Sequence, residues 1–300
     1  MSQGRFGEVI TAMVTPFSND GSFDAGAARG LATRLVEQGS DGLVLAGTTG
    51  EAPTLSHSEK LQLIETVVDA VGDRAAIIGG TGTYDTAETV ALTEEVGGMG
   101  VDACLVVTPY YSKPPQNGLL AHFRTVADAS TVPVIVYDIP GRTGRRIERT
   151  TMVELATHDN IVGVKDAVGD AGETAKLRAD LNRAGRDDFE ILSGDDPLLL
   201  PHLAAGAVGV ISVCSHIVGP QLKQLFAAWN DGKVEEARRV FTELLPLMNV
   251  IMTVTASPIP IRAALEMMGV QVGAPRLPLV PATDEEVATI RSSLERAGLL

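Results

Sequence analysis

IVGVKDA (161–167) is a short apolar run closed by a charge, the form of a buried strand that ends in a lysine. Lys165 in that position has two uses. It pairs with a carboxylate, for which Asp166 is the neighbour, or it loses its proton and attacks a carbonyl. Desolvation favours the neutral amine and draws a lysine from about 10.4 toward roughly 7–8. A neutral amine forms Schiff bases with keto acids. The strand alone leaves both uses open.

Seven runs of the same kind surround it: VITAMV (9–14), GLVLAG (42–47), AAIIGG (75–80), ACLVVT (103–108), VPVIVY (132–137), FEILS (189–193) and GVISV (209–213). They are continuous rather than alternating, as parallel strands buried on both faces are. Between them, composition and period predict helices at 24–38, 56–71, 85–96, 116–129, 149–157, 172–184, 196–205 and 218–230. The second opens with Ser56 and carries Glu59 three residues on, a capping-box pattern. Its Leu61, Ile64, Val67, Val68 and Val71 recur at helical spacing. Eight strand–helix units in series predict an α/β fold, a (β/α)8 TIM barrel. An open doubly wound sheet is the alternative, but no GxGxxG follows the first strand, which weakens its dinucleotide-binding version. Residues 233–300 add helical segments near 234–253, 259–268 and 284–297, broken at PIPI (258–261) and PRLPLVP (275–281). The expected organisation is a barrel carrying the active site over 1–232 and an appended C-terminal helical region over 233–300, suited to packing or subunit contact.

A chain of 300 residues with 45% hydrophobic and 4% aromatic content suits one large aliphatic barrel. The formal charge of −14 argues against nucleic acid and against an anionic membrane surface. A few local cations still suffice for an acidic substrate. Cys104 and Cys214 lie in apolar runs and read as core residues. The N-terminus lacks a signal-peptide pattern. No Asp, Glu, Lys or Arg occurs between Asp196 and Lys223, but Pro197, Pro201, Gly206, Gly209 and Gly219 punctuate the stretch, so it reads as buried core and not as a membrane span. A soluble cytoplasmic protein is expected.

Barrel chemistry collects where strands end. Those ends here are GTTGE (47–51), TPYY (108–111), YDIPGRTG (137–144), Lys165 and SGDD (193–196). Each has a purely structural reading. Gly47 and Gly50 make a tight turn, Thr48 and Thr49 cap the next segment, Tyr110 and Tyr111 are interface aromatics, Tyr137 is a buried aromatic and Arg142 a solvated charge. Together they converge on one barrel mouth and form a plausible Schiff-base site of amine, proton relay and anion clamp. The five histidines show no HxxxH spacing, which disfavours zinc. GxxxxGK[ST] and GxSxG are absent, which disfavours a P-loop and a nucleophile elbow. Asp195 and Asp196 make a doubtful working pair, because adjacent strand residues point to opposite faces.

TAMVTPF, GTTGE, VVTPYY, YDIPGRTG, GVKDA, SGDD and GVISV, in this order and spacing, resemble the dihydrodipicolinate synthase family, within the group that includes N-acetylneuraminate lyase. The resemblance runs from about residue 8 to the C-terminus. It implies a lyase with a class I aldolase mechanism: pyruvate condenses with L-aspartate 4-semialdehyde to 4-hydroxy-tetrahydrodipicolinate in lysine and diaminopimelate biosynthesis. It implies no cofactor and no metal, and a homotetramer built from two tight dimers. It makes Lys165 the Schiff-base lysine, Tyr137 the general acid/base, and Thr48 and Tyr111 its relay partners. Thr49, Gly194 and the backbone at Ile211 become substrate contacts, and Arg142 binds the semialdehyde carboxylate, which a guanidinium meets bidentately. Tyr110 lines the tight-dimer interface, and His57 and Glu88 match effector positions.

The chain departs from the family pattern at several points. Residue 138 is Asp where many members have Asn, which is expected to put negative charge near Arg142. Residue 52 is Ala where Ser is common. Lys60 stands where lysine-inhibited members often have His, and Tyr84 where they often have Asn. A cation at 60 repels an effector ammonium, so weak lysine feedback is expected. A sister pyruvate aldolase, acting on N-acetylneuraminate or a 2-keto-3-deoxy-sugar acid, is the alternative function; GTTGE and PGRTG weigh against it. A non-catalytic keto-acid-binding barrel is more remote, since none of the expected reactive groups is missing.

Overall fold

The computed structural model describes residues 4–300. Its strands are β1 (Val9–Ala12), β2 (Gly42–Leu45), β3 (Ala76–Gly80), β4 (Ala103–Val107), β5 (Val134–Asp138), β6 (Ile161–Asp166), β7 (Glu190–Ser193) and β8 (Gly209–Ser212), each inside a run read from the sequence or within a residue of it. They follow one another in sequence order and close into a barrel. The helices are α1 (Ala25–Glu37), α2 (His57–Val71), α3 (Thr86–Gly97), α4 (Gln116–Ala129), α5 (Pro140–Thr143), α6 (Arg149–Leu155), α7 (Ala171–Arg183), α8 (Leu199–Ala204), α9 (Ser215–Asn230), α10 (Val234–Thr253), α11 (Ile259–Met267) and α12 (Asp284–Arg296).

Three details differ from the sequence reading. The one-turn helix α5 interrupts the loop after β5: Pro140 pre-sets its start and Gly144, at φ +70°, ends it. The helix expected over 196–205 begins as a 3-10 turn over Asp196–Leu198 around Pro197. Helix α9 starts three residues early and is kinked at Val218, two residues before Pro220.

The described chain divides into two compact units, one of Glu8–Ala75 with Ser212–Leu300, the other of Ala76–Ile211 with residues 4–7. In the first unit α9 packs on β1, α10 on α9, and α12 on α10 and α11. Helix α10 buries Ala237, Val240, Phe241, Leu244, Leu247, Met248 and Ile251, spaced three and four apart, which is the stripe that drives it onto its neighbours. The capping box at Ser56 and Glu59 is formed, with both reciprocal bonds present. Among the described residues no helix is long and apolar enough to cross a membrane.

The second unit holds β3 to β7 and a core that includes Val106, Phe123, Val136, Leu155, Val164 and Phe189. Phe123 and Phe189 are fully buried, and truncating either to Ala costs about 3–5 kcal/mol. Within it, β5 and β6 pair with Tyr137 opposite Lys165 and Asp138 opposite Asp166. Strand side chains alternate between faces. Val136, Asp138, Val164 and Asp166 turn toward α6 and α7, so Tyr137 and Lys165 share the inner face.

Candidate active site

Lys165 is 6% exposed at the end of β6. Burial draws its amine down to about 7; the charge of Asp196 resists this and that of Arg142 adds to it. Its Nζ lies 4.3 Å from the centroid of the Tyr137 ring, and Tyr137 is itself 5% exposed. The carboxylate partner weighed for Lys165 is engaged elsewhere. Asp166 accepts a hydrogen bond from Thr174 Oγ1 at 2.6 Å and one from Val168 N at 3.1 Å on the opposite face. Asp166 is therefore not the partner of Lys165; burial favours the neutral amine, and the charge of Asp196 opposes it.

The backbone around this pair is tightly held. Thr108 donates to the Tyr137 carbonyl through both its Oγ1 and its N–H, each at 2.9 Å. Gly194 N donates to the Asp166 carbonyl at 2.7 Å. A Cβ on Gly194 would stand 2.9 Å from Ala167 Cβ and 3.1 Å from Lys165 Cγ, so only glycine lets this turn pass the lysine stem. Arg142 sits on the exposed side of α5, yet its charge still reaches Lys165. Ile211 lies buried on β8.

Asp196 is a residue whose part the sequence reading missed. It is 1% exposed and its charge favours the protonated form of Lys165. Asp195 is pushed up to about 6 by burial first and by Asp196 second. The two acidic residues act differently, one on the lysine and one mainly on its own solvation. Only burial distinguishes them, and SGDD carries no periodic signal for it. Asp138 also differs from expectation. It is buried, it accepts from Ile147 N, and the cation acting on it is Arg146, not Arg142. Strand alternation turns it to the face opposite Tyr137.

In the first unit GTTGE forms the tight turn expected. Ala46 (φ +50°) and Glu51 (φ +56°) take left-handed backbone. A Cβ on Gly50 would meet the Met13 carbonyl at 3.1 Å and Thr15 Oγ1 at 3.2 Å. Thr49 is buried and Thr48 half-buried. Glu51 anchors the turn: it pairs with buried Arg262 at 2.6 Å and accepts from Arg276 N at 2.9 Å. Arg262 in turn donates to the carbonyls of Thr15 and Val272. Arg276 and Arg262 lie over the Phe17 ring, at 4.2 and 5.0 Å. A separation of 211 residues hides the Glu51–Arg262 pair from any local reading. His216 is fully buried, with Val14 N donating to its Nε2, and burial lowers it to about 4.

The remaining expected residues are spread over the surface. Tyr111 is 93% exposed with φ +70°, so within the single chain it is not enclosed with Tyr137 and Lys165. Tyr110 is half-buried against Tyr84 in an edge contact, ring centroids 5.4 Å apart, and burial raises its hydroxyl, with the charge of Glu88 adding to the effect. His57 opens α2 in the other unit. Cys104 and Cys214 are buried thiols, and burial pushes Cys104 up to about 12.

The sequence matches the Dihydrodipicolinate synthetase family over residues 5–297. It is 50% identical over 295 residues to the 4-hydroxy-tetrahydrodipicolinate synthase of Synechococcus elongatus, covering 98% of this chain and 97% of that one. The crystal structure of the synthase from Cyanidioschyzon merolae with lysine bound superposes with a TM-score of 0.95 at 42% identity, over 99% of this chain and all (100%) of that one. The chloride-inhibited dihydrodipicolinate synthase from Acinetobacter baumannii complexed with pyruvate superposes with a TM-score of 0.93 at 36% identity, over 98% of this chain and 99% of that one. With the barrel, the buried lysine and matches that run nearly end to end, the chain belongs to the dihydrodipicolinate synthetase family.

Proposed function

We propose that this chain is a 4-hydroxy-tetrahydrodipicolinate synthase in which Lys165 forms a Schiff base with pyruvate and condenses it with L-aspartate 4-semialdehyde. The observation that carries the residue assignment is the buried Lys165 amine, drawn down to about 7 and held 4.3 Å from the Tyr137 ring. Near neutral pH about half of such an amine is a nucleophile, against roughly one part in 3,000 for an ordinary lysine. The amine adds to the keto carbon of pyruvate, and the carbinolamine loses water to give an iminium. Loss of a methyl proton gives the enamine, whose carbon attacks the aldehyde. The iminium nitrogen is the electron sink, so the scheme calls for no cofactor.

Tyr137 is assigned the proton transfers. A phenol near pKa 10 is a weak base at pH 7, and the iminium charge assists its phenolate. Thr48 and Tyr111 are assigned as its relay. The full exposure of Tyr111 supports a position in which it serves the neighbouring copy, and half-buried Tyr110 supports a place at that tight-dimer interface. Thr49, Gly194 and the Ile211 backbone are assigned to pyruvate, and Arg142 to the semialdehyde carboxylate. The proposal includes a homotetramer in the cytoplasm, a catalytic barrel over 1–232 and a helical region over 233–300. His57 and Glu88 are assigned to an effector site weakened by Lys60, and strong inhibition by millimolar lysine would refute that last point.

The deciding experiment is borohydride reduction in the presence of pyruvate, followed by peptide mass spectrometry. A reduced adduct on Lys165, absent from Lys165→Ala, supports the assignment. Absence of an adduct under conditions that trap another pyruvate aldolase removes it.

A further inference from the structure

We infer that Asp138, buried beside Asp166 on the outer face of β5 and β6, is a positioning residue for Tyr137 and Lys165 that keeps its proton in the working protein and gives the reaction an alkaline limit. The inference rests on the catalytic roles proposed for those two residues. The pair occupies the register row directly after Tyr137 and Lys165. Asp138 is 3% exposed and Asp166 5% exposed, and both line one small cavity with Arg146, Arg149 and Glu173. A carboxylate beside a buried carboxyl disfavours a second charge, so Asp166 opposes ionisation of Asp138.

The hydrogen bonds say where the proton resides. Asp166 has a donor on each oxygen, Thr174 Oγ1 at 2.6 Å and Val168 N at 3.1 Å. Among the described residues Asp138 has a single donor, Ile147 N, divided between its two oxygens at 3.3 Å each. The proton therefore belongs on Asp138.

The surrounding charges leave this arrangement standing. From the segment before α6, Arg146 donates to Glu173 at 2.7 Å. From α6, Arg149 donates to Glu173 at 3.2 Å and to Asp180 at 3.1 Å. Glu173 on α7 also takes Lys176 at 2.7 Å, so the nearby cations already have carboxylate partners. On α8, His202 is buried and held toward its neutral form by that burial, against the pull of Asp166. Burial pushes Asp138 up to about 7; Asp166 adds to the rise, while Ile147 N–H and Arg146 oppose it.

Above that pH the second charge forms. Repulsion then acts between the ends of β5 and β6, one residue from the groups that hold the 4.3 Å approach of amine and ring. A single ionisation of this kind lowers kcat about tenfold per pH unit on the alkaline side. The acid limb of the profile belongs to Lys165. Asp138→Asn keeps a donor and cannot ionise.

The test compares pH profiles of kcat, and of borohydride trapping with pyruvate, for the wild type and Asp138→Asn. The expected variant keeps the Lys165 adduct and the acid limb and loses the alkaline limb, so that at pH 9 it outruns the wild type by at least tenfold. An unchanged alkaline limb in the variant, or a flat wild-type profile between pH 7 and 9, overturns the inference. Should Asp138→Asn not fold, Thr174→Val removes a donor to Asp166, leaves more of its charge to act on Asp138 and must move the limb to higher pH; an unmoved limb overturns the inference equally. Absence of a Lys165 adduct in both proteins removes the catalytic reading instead. The pair is then judged by melting temperature alone. Wild-type stability relative to Asp138→Asn must fall as pH rises from about 4 through 7, because the proton kept in the fold has to be released; a pH-independent difference overturns the pair.

Discussion

Replacing the buried lysine should stabilise the fold, and the gain should depend on pH. In the folded chain Lys165 titrates near 7 in place of its ordinary 10.5. A lysine with a lowered pKa contributes full stability above about 10.5 and loses it as pH falls through about 7. That fall, at 1.36 kcal/mol per pH unit, sets the ceiling of the cost at neutral pH at about 5 kcal/mol. Lys165→Met removes the cost but leaves buried Asp196 without the nearby amine, so the net gain at pH 7 is roughly 2–3 kcal/mol. For a chain of this size that is a rise in Tm of roughly 5–10 °C. The assay is thermal unfolding of both proteins at pH 7, 8.5 and 10, with pyruvate absent. The variant should melt higher at pH 7 and the gap should close by pH 10. A variant that melts lower at pH 7, or a gap independent of pH, refutes the desolvated-amine argument. The kinetic counterpart is a trapping rate that falls about tenfold per pH unit below 7.

Three further outcomes are expected. Gly194→Ala should leave the fold intact but slow trapping by at least tenfold, because its Cβ would crowd Lys165 Cγ at 3.1 Å; unchanged trapping with a normal melt counts against it. Glu51→Ala strands the buried Arg262 guanidinium, whose side chain is 3% exposed, and should cost about 3–5 kcal/mol in chemical denaturation, with much of the loss recovered in Glu51→Leu/Arg262→Met. Inactive Lys165→Ala and Tyr111→Phe proteins, mixed under conditions that exchange subunits, should regain activity through sites that combine an intact Lys165 with a neighbour's intact Tyr111; no recovery after demonstrated exchange argues that Tyr111 acts within its own chain.

Much of this was legible in the sequence because the signals were local. Continuous Val/Ile runs marked all eight strands, since both faces of each are covered and no polar position interrupts them. Lys165 stood out because a lone charge at the end of such a run has to be either paired or neutral. What escaped depended on chain closure. Glu51 reads as the last letter of a strand-end motif, but its partner Arg262 lies 211 residues away. Asp196 is distinguished from Asp195 only by burial, which a two-residue acidic step does not encode. Helix α5 was missed because a single turn is too short to show a period, although Pro140 and Gly144 mark its ends.

Asp138 shows how one register decides two properties. Read along the chain, it is a charge four residues from Arg142, and that spacing suggests tempered anion binding. Read across the sheet, it stands opposite Asp166 and one step past Tyr137. Alternation then places the amine and phenol on one face and two carboxylates on the other. The inner face keeps an amine neutral by excluding water, and the outer face keeps a carboxyl neutral by the same means, with opposite consequences for pH. In the proposed reaction the lysine is protonated below about 7 and stops attacking, and above about 7 Asp138 charges and loads the strands that carry the lysine. On that proposal two ionisations of opposite effect, one register row apart, should confine the active form to a narrow band near neutral pH. Removing the Asp138 charge should open that band on its alkaline side only.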